Sequence, residues 1–216
     1  METAPKFDLE ALKRYWIGGI AGETLFRRAL RRVAQIELAG EQAQLRGVMI
    51  LEHDPLRFAA AFFAAVHTGV PVTLANPKWR RVEWEEVVKL VNPAVIFGHS
   101  PISEQARAGI QHPKPGAILI PTGGSTGGVK FAIHQWSTLV AACEGLSSFI
   151  GPGPINSCCV LPLYHVSGLM QLVRSFVTEG QIAFPEFKAL QAGDFPAFEA
   201  NSMCLSLVPT QLQRLM

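Results

Sequence analysis

From Gly47 onward the apolar positions of the chain fall into two alternating periods. Gly47 to Leu51 (GVMIL) is a short apolar run that predicts a strand, and Asp54 followed by Pro55 supplies a helix N-cap and a first-turn proline. Leu56 to His67 is apolar on nearly all sides through Phe58, Phe62, Phe63 and Val66, which predicts a buried helix ended by Gly69. Val70 to Leu74 is the next strand. Trp84, Val87, Val88 and Val91 then recur at i, i+3, i+4 and i+7, while Glu83, Glu85, Glu86 and Lys89 take the opposite face. That is an amphipathic helix, closed by Asn92-Pro93.

The pattern continues with a strand at Ala94 to Phe97, a short helix around Ser103 to Ala108 and a strand at Ala117 to Ile120. Past a glycine-rich stretch, Phe131 to Ile133 suits a strand, and Ser137 to Phe149 reads as a helix stopped by Gly151, Pro152, Gly153 and Pro154. Cys158 to Leu163 is a further apolar strand, Tyr164 to Gly168 a loop, and Leu169 to Val177 a helix carrying Arg174. Gly180 precedes a strand at Gln181 to Phe184, and a last helix, strand and helix start fill Lys188 to Met216. Val160, Leu161, Leu205 and Val208 read as sheet core. Strands separated by helices predict an α/β fold with a largely parallel sheet flanked by helices. Residues 1–45 differ: Leu25, Ala29, Leu30, Val33 and Ile36 form an uneven apolar stripe among arginines, so this region reads as helical and peripheral to the α/β part at 46–216. There is no internal repeat, and the one plausible seam is Ser100 to Pro115.

Composition narrows the class. At 216 residues, 49% hydrophobic and 17% charged, the chain can bury a substantial core, which argues against disorder. A net charge of +2 is too small to imply nucleic acid or a membrane surface as partner. The basic cluster Arg27, Arg28, Arg31 and Arg32 lies on one side of a predicted helix and reads as a solvated face rather than an anion or lipid site. Charges at Lys6, Asp8, Glu10, Lys13 and Arg14 exclude a secretory signal, and the longest apolar run, Phe58 to Val66, is far short of the ~20 residues that span a bilayer. A soluble, cytoplasmic protein is expected. Cys143, Cys158, Cys159 and Cys204 show no metal-ligand spacing and read as small core residues in a reducing compartment; no metal site is read from them.

The chemistry concentrates in Ala117 to His134, AILIPTGGSTGGVKFAIH. Gly123, Gly124, Gly127 and Gly128 free successive amide N–H groups to turn toward an anion, Thr122, Ser125 and Thr126 add hydroxyls, and Lys130 adds a point charge. That is the composition of a polyphosphate cradle. A plain Gly/Ser connection between two strands has the same composition and stays open. A Walker A loop does not fit, because Gly128 is followed by Val129, Lys130 and Phe131 rather than by Lys and a hydroxyl residue. In α/β folds ligands gather beyond the carboxyl ends of strands. Both this loop and Tyr164 to Gly168 follow strands, which places them on one edge of the sheet.

Three stretches in order carry a family resemblance. PTGGSTGGVK resembles the T-S-G-T-T-G-x-P-K phosphate loop of the adenylate-forming acyl-CoA synthetase superfamily, LPLYHVSG (Leu161 to Gly168) resembles its proline-aromatic-His motif, and SLVPT (Ser206 to Thr210) its acyl-pocket segment. Within the superfamily, YHVSGLMQLVRSF (Tyr164 to Phe176) is most similar to the 2-succinylbenzoate–CoA ligase branch of menaquinone and phylloquinone synthesis. The resemblance covers Val48 to the C-terminus and implies the N-terminal portion of a large AMP-binding domain.

It also implies a reaction. A carboxylic acid attacks the α-phosphate of ATP, with Mg²⁺ as metal, and the acyl-adenylate passes its acyl group to CoA. Thr122 to Gly128 and Lys130 would hold the phosphates, with Lys130 as a catalytic charge, and His165 would stand beside the reacting carboxylate. Ser167 would lie near the acid, and Arg174 would pair with its second carboxylate. Read without the family, His165 is a structural residue after a strand and Arg174 a surface charge, while His53, His67, His99 and His134 are structural in either reading.

Gly123 replaces the family's serine and Val129 its proline, which removes one hydroxyl and loosens the approach to Lys130. The adenine, ribose and most Mg²⁺ ligands and the small C-terminal domain fall beyond Met216, so the chain alone is expected not to turn over and to self-associate through apolar surface. A fatty or aryl acid as substrate, or a non-catalytic nucleotide- or acyl-binding module, are the competing expectations.

Overall fold

The computed structural model describes residues 7–14, 16–42, 46–101, 113–122, 128–196 and 203–216, and in these the alternation of the sequence becomes an alternation of strands and helices. A 3-10 helix at Leu9–Arg14 and a short strand β1 (Trp16–Ile17) precede the helix α1 (Gly22–Gln42). Then come β2 (Val48–Leu51), α2 (Pro55–Thr68), β3 (Val72–Leu74), α3 (Arg81–Val91), β4 (Val95–Gly98), β5 (Ile118–Thr122), β6 (Lys130–His134) and α4 (Trp136–Ile150). The chain ends with β7 (Ser157–Cys158), α5 (Val166–Val177), β8 (Gln181–Ala183), α6 (Phe187–Gln191), β9 (Cys204–Leu205) and α7 (Pro209–Leu215). The helix expected at Ser103 to Ala108 lies outside the described residues. Two compact units result, Met1–Glu10 with Phe26–Ser137 and Ala11–Leu25 with Thr138–Met216.

The first unit is built on a five-stranded sheet in the order β4-β2-β3-β5-β6. Its first four strands are parallel and β6 runs antiparallel to β5. Strands covered on both faces carry unbroken apolar runs, and β2 and β3 are buried at every position. Asp54 caps α2 as expected, its Oδ1 accepting the Arg57 N–H at 2.7 Å, and Gly69 ends the helix in the left-handed region at φ 68°. Phe58, Phe62 and Phe63 are almost wholly buried, and Phe62 and Phe63 pack against the Trp136 ring. Asp54→Ala should lower stability by about 1 kcal/mol, read as a shift of the denaturation midpoint with an unchanged slope.

Helix α3 turns Trp84, Val87, Val88 and Val91 onto Met49, Leu51 and Leu119, and Val129 and Phe131 pack at the margin of the same cluster. Trp79 meets both Trp84 and Phe131 edge-on, at ring separations of 5.3 and 6.2 Å. The closing end of the glycine-rich stretch is thereby tied to the apolar core of its unit. Among the described residues no helix is long and apolar enough to cross a membrane.

The second unit carries a four-stranded, wholly parallel sheet in the order β1-β8-β7-β9. Here the structure corrects the expected strand Cys158 to Leu163, because β7 ends at Cys158. Cys159 N still donates to Ala183 O at 2.8 Å, but the chain then turns, with His165 N donating to Pro162 O. Pro162 has no N–H to offer a ladder. Val160 and Leu161 are consequently half-buried rather than sheet core; Leu205 is half-buried in β9 and Val208 is 43% exposed. The helix also begins earlier than expected, at Val166, with His165 in extended N-cap geometry and the Gly168 and Leu169 N–H groups donating to His165 O. Ser175 Oγ donates to Ser157 Oγ at 2.8 Å and joins α5 to β7 in a buried contact.

The four cysteines are unpaired. Burial raises the thiols of Cys143, Cys158 and Cys159 to about 11. A raised thiol favours the fold fully below the unfolded value near 8.5, and that contribution is lost as pH climbs toward 11. At pH 8 a thiol reagent should therefore modify half-buried Cys204 first, and the other three only after denaturation.

Candidate functional site

Strand β5 leads from the core to the glycine-rich stretch, with Ile118 to Pro121 buried and Thr122 exposed at its end. Thr122 pairs across the antiparallel ladder with Lys130, the first residue of β6, and its hydroxyl donates to Lys130 O at 3.3 Å. The two strands are thus a hairpin, and the expected phosphate-binding residues Gly123, Gly124, Ser125, Thr126 and Gly127 of its loop lie outside the described residues. Gly128 closes the loop at φ +77°, a backbone angle that favours glycine, and a Cβ built there would stand 2.8 Å from Glu86 Oε1, the movable end of a flexible side chain. Val129, where the family motif has proline, packs against the apolar cluster around α3 instead. Lys130 is exposed, so its ammonium is free to meet an anion at the loop mouth.

In the second unit the remaining expected residues gather on α5. His165 caps the helix with its ring 4.5 Å from that of Tyr164, and burial raises the Tyr164 hydroxyl above its ordinary value. Ser167 is exposed in the first turn, and its carbonyl accepts Gln171 Nε2 at 3.1 Å. Arg174 follows a full two turns after Ser167, so Ser167, Gln171 and Arg174 share one stripe of the helix. Its Nε is buried with no hydrogen-bond partner among the described residues. Its charge reaches the Cys143 thiol, which it pulls down against the larger effect of burial. A buried guanidinium N–H without a partner is costly, and an anionic ligand would satisfy it.

No family model matches the chain. It is 27% identical over 184 residues to the 2-succinylbenzoate–CoA ligase of Escherichia coli (strain K12), which covers 79% of this chain and 40% of that protein. With the Haemophilus influenzae 2-succinylbenzoate–CoA ligase it shares 36% identity over 101 residues, 46% of this chain and 21% of that protein. The chain thus spans less than half the length of these relatives. The solved O-succinylbenzoate coenzyme A synthetase of Bacillus subtilis, in complex with AMP, superposes with a TM-score of 0.74 at 16% identity, covering 94% of this chain and 60% of that one. The fold is that of the N-terminal part of an adenylate-forming ligase. The same synthetase with ATP and magnesium ion superposes with a TM-score of 0.71 at 18% identity, over 93% of this chain and 61% of that one.

Two features of this adenylate-forming ligase fold were not legible beforehand. The two distinctive loops, expected on the edge of one sheet, follow strands of two different sheets, β5 and β7. The second is Gln171, which is 1% exposed and whose Oε1 has no partner among the described residues. The available signal was a polar residue four positions after Ser167 on an otherwise apolar helix face.

Proposed function

We propose that the chain is the N-terminal part of an ATP-dependent acid–CoA ligase whose acid is 2-succinylbenzoate, acting in the cytoplasm in menaquinone or phylloquinone synthesis. The observation that carries the acid assignment is the buried, unpartnered Nε of Arg174, on the same helix stripe as Ser167. A guanidinium held in that state suits a ligand carboxylate that is not the reacting one. The 2-succinylbenzoate–CoA ligases of two bacteria as curated relatives support the same acid.

In this reading one carboxylate of the acid attacks the α-phosphate of ATP, and pyrophosphate leaves with the bonding electrons. CoA thiol then attacks the acyl carbon and AMP leaves. Thr122, Gly123 to Gly128 and Lys130 hold the β- and γ-phosphates and stabilise charge on the departing pyrophosphate. His165 stands at the reacting carboxylate, and Ser167 and Arg174 hold the rest of the acid. Magnesium, when bound, neutralises phosphate charge. Among the described residues no group of three or more His, Cys, Asp or Glu could hold a metal ion, and none of them is assigned to it.

Arg174→Ala in the complete ligase should raise KM for 2-succinylbenzoate roughly 10- to 100-fold, the range expected for losing a charged hydrogen-bonded contact. KM for a monocarboxylic aryl acid should stay within about twofold. Equal losses for both acids would remove the second carboxylate from the assignment and leave a fatty or aryl acid as the substrate class.

A further inference from the structure

Arg28, Arg31, Arg32 and Gln35 stand at i, i+3, i+4 and i+7 along α1, one stripe two turns long. Together with Arg57 and Ala60 of α2 they line a groove of about 360 Å³, all of it within the first unit. The basic cluster was expected to be a solvated helix face. A solvated face accounts for exposed Arg31, but not for half-buried Arg28 and Arg32, nor for a fourth arginine converging from a second helix.

One of the four cations is neutralised. Arg32 Nη2 donates to Glu52 Oε1 at 2.7 Å and Nη1 to Gln35 Oε1 at 3.1 Å, and its guanidinium lies 4.6 Å over the Phe97 ring. Arg28, Arg31 and Arg57 have no carboxylate at ion-pair distance among the described residues. Asp54, three residues before Arg57, spends its Oδ1 on the Arg57 backbone N–H as the helix cap. Arg57 itself sits in the first turn of α2, where the helix dipole favours an anion over a cation. Like charges at i+3 and i+4 on α1 add to the same unfavourable sum. Positive charge is therefore concentrated against local preference in a concave site, which is a mark of function rather than of solvation.

We propose that this groove is a second polyanion site, taking a soluble ligand that carries two or more phosphates. Planar guanidinium forks match phosphate oxygens in bidentate pairs, and three uncommitted arginines on two helices match more than one phosphate. The groove's volume is that of a small-molecule pocket, and its concave shape with buried Ala60 in the lining favours a soluble ligand over the flat surface of a bilayer. The site shares no residue with the glycine loop and stands whether or not the acid assignment holds.

Titration calorimetry with inorganic pyrophosphate, at low salt, tests it on the chain carrying Lys130→Ala, which weakens the glycine loop as a competing site. A site should remain. Arg31→Ala or Arg57→Ala added to that background should weaken it at least about tenfold, with a smaller loss for Arg31→Lys, and rising salt should weaken it further. Both side chains are exposed, so circular dichroism of the variants should be unchanged. Loss of all pyrophosphate binding with Lys130→Ala would overturn the proposal. So would indifference to both arginine substitutions, equal affinity for sulfate, or binding to phosphatidylglycerol vesicles without binding to pyrophosphate.

Discussion

Lys130→Ala in the complete ligase should lower kcat for acyl-adenylate formation by about 10²–10³-fold, the cost of removing one preorganised group that meets charge developing in a transition state. The expectation follows from the hairpin. Thr122 and Lys130 are its last paired residues before the glycine loop, so the strand pairing delivers the lysine to the loop mouth, and its exposed ammonium is engaged by no carboxylate among the described residues. Pyrophosphate gains charge as it leaves, so a cation there acts more strongly on the transition state than on bound ATP, and kcat should fall more than KM for ATP rises. Stability should hardly change, because the ladder pair is made by backbone atoms. ATP–pyrophosphate exchange with 2-succinylbenzoate measures the effect, and Lys130→Arg should restore part of it. Exchange within about threefold of the parent would remove Lys130 from the phosphate site.

Gly168→Ala should destabilise the chain by roughly 3 kcal/mol or more, seen as a melting temperature lower by roughly 6–12 °C. Gly168 is buried in the first turn of α5. A Cβ there would fall 2.2 Å from Pro162 O and 2.8 Å from Leu161 O. These are backbone atoms of the turn that leaves β7, so no rotamer change relieves the clash; either the turn moves or α5 does. Gly145 in α4 is the internal control, since a Cβ there meets nothing within 4 Å. Gly145→Ala should be neutral or stabilising by up to about 1 kcal/mol. If both glycines tolerate alanine equally, the close approach of α5 to the Leu161–Pro162 turn is wrong. Gly168 lies one residue after Ser167 and six before Arg174, so the same substitution should also weaken acid binding in any fraction that stays folded.

The site was legible to very different degrees in its parts. The expectation for PTGGSTGGVK rests on consecutive residues alone, closely spaced glycines, hydroxyls and one lysine, and Gly123 to Gly127 lie outside the described residues. The LYHVSG stretch was expected as a loop, whereas its Val166, Ser167 and Gly168 are helix. Gly168 is the residue that lets this helix start against a backbone carbonyl. No expectation attached to Gln171, and the arginines of the groove on α1 were expected to form a solvated face. The groove depends on what a neighbouring element places beside α1, Arg57 of α2, whereas the Gln171 bond to Ser167 O lies within α5 itself.

The sequence by itself determined the helices α2 and α3, ended where Gly69 and Asn92 adopt left-handed angles, and the largely parallel α/β organisation. These rest on capping bonds and apolar periods that span a few residues, and such signals do not need the rest of the chain. Only the tertiary structure decided that the strands divide into two sheets, that β7 stops at Cys158 although apolar residues continue, and that the four arginines converge on one groove. Strand pairing and the approach of one helix to another are set between residues far apart in sequence, where hydrophobic pattern says that a segment is buried but not against what.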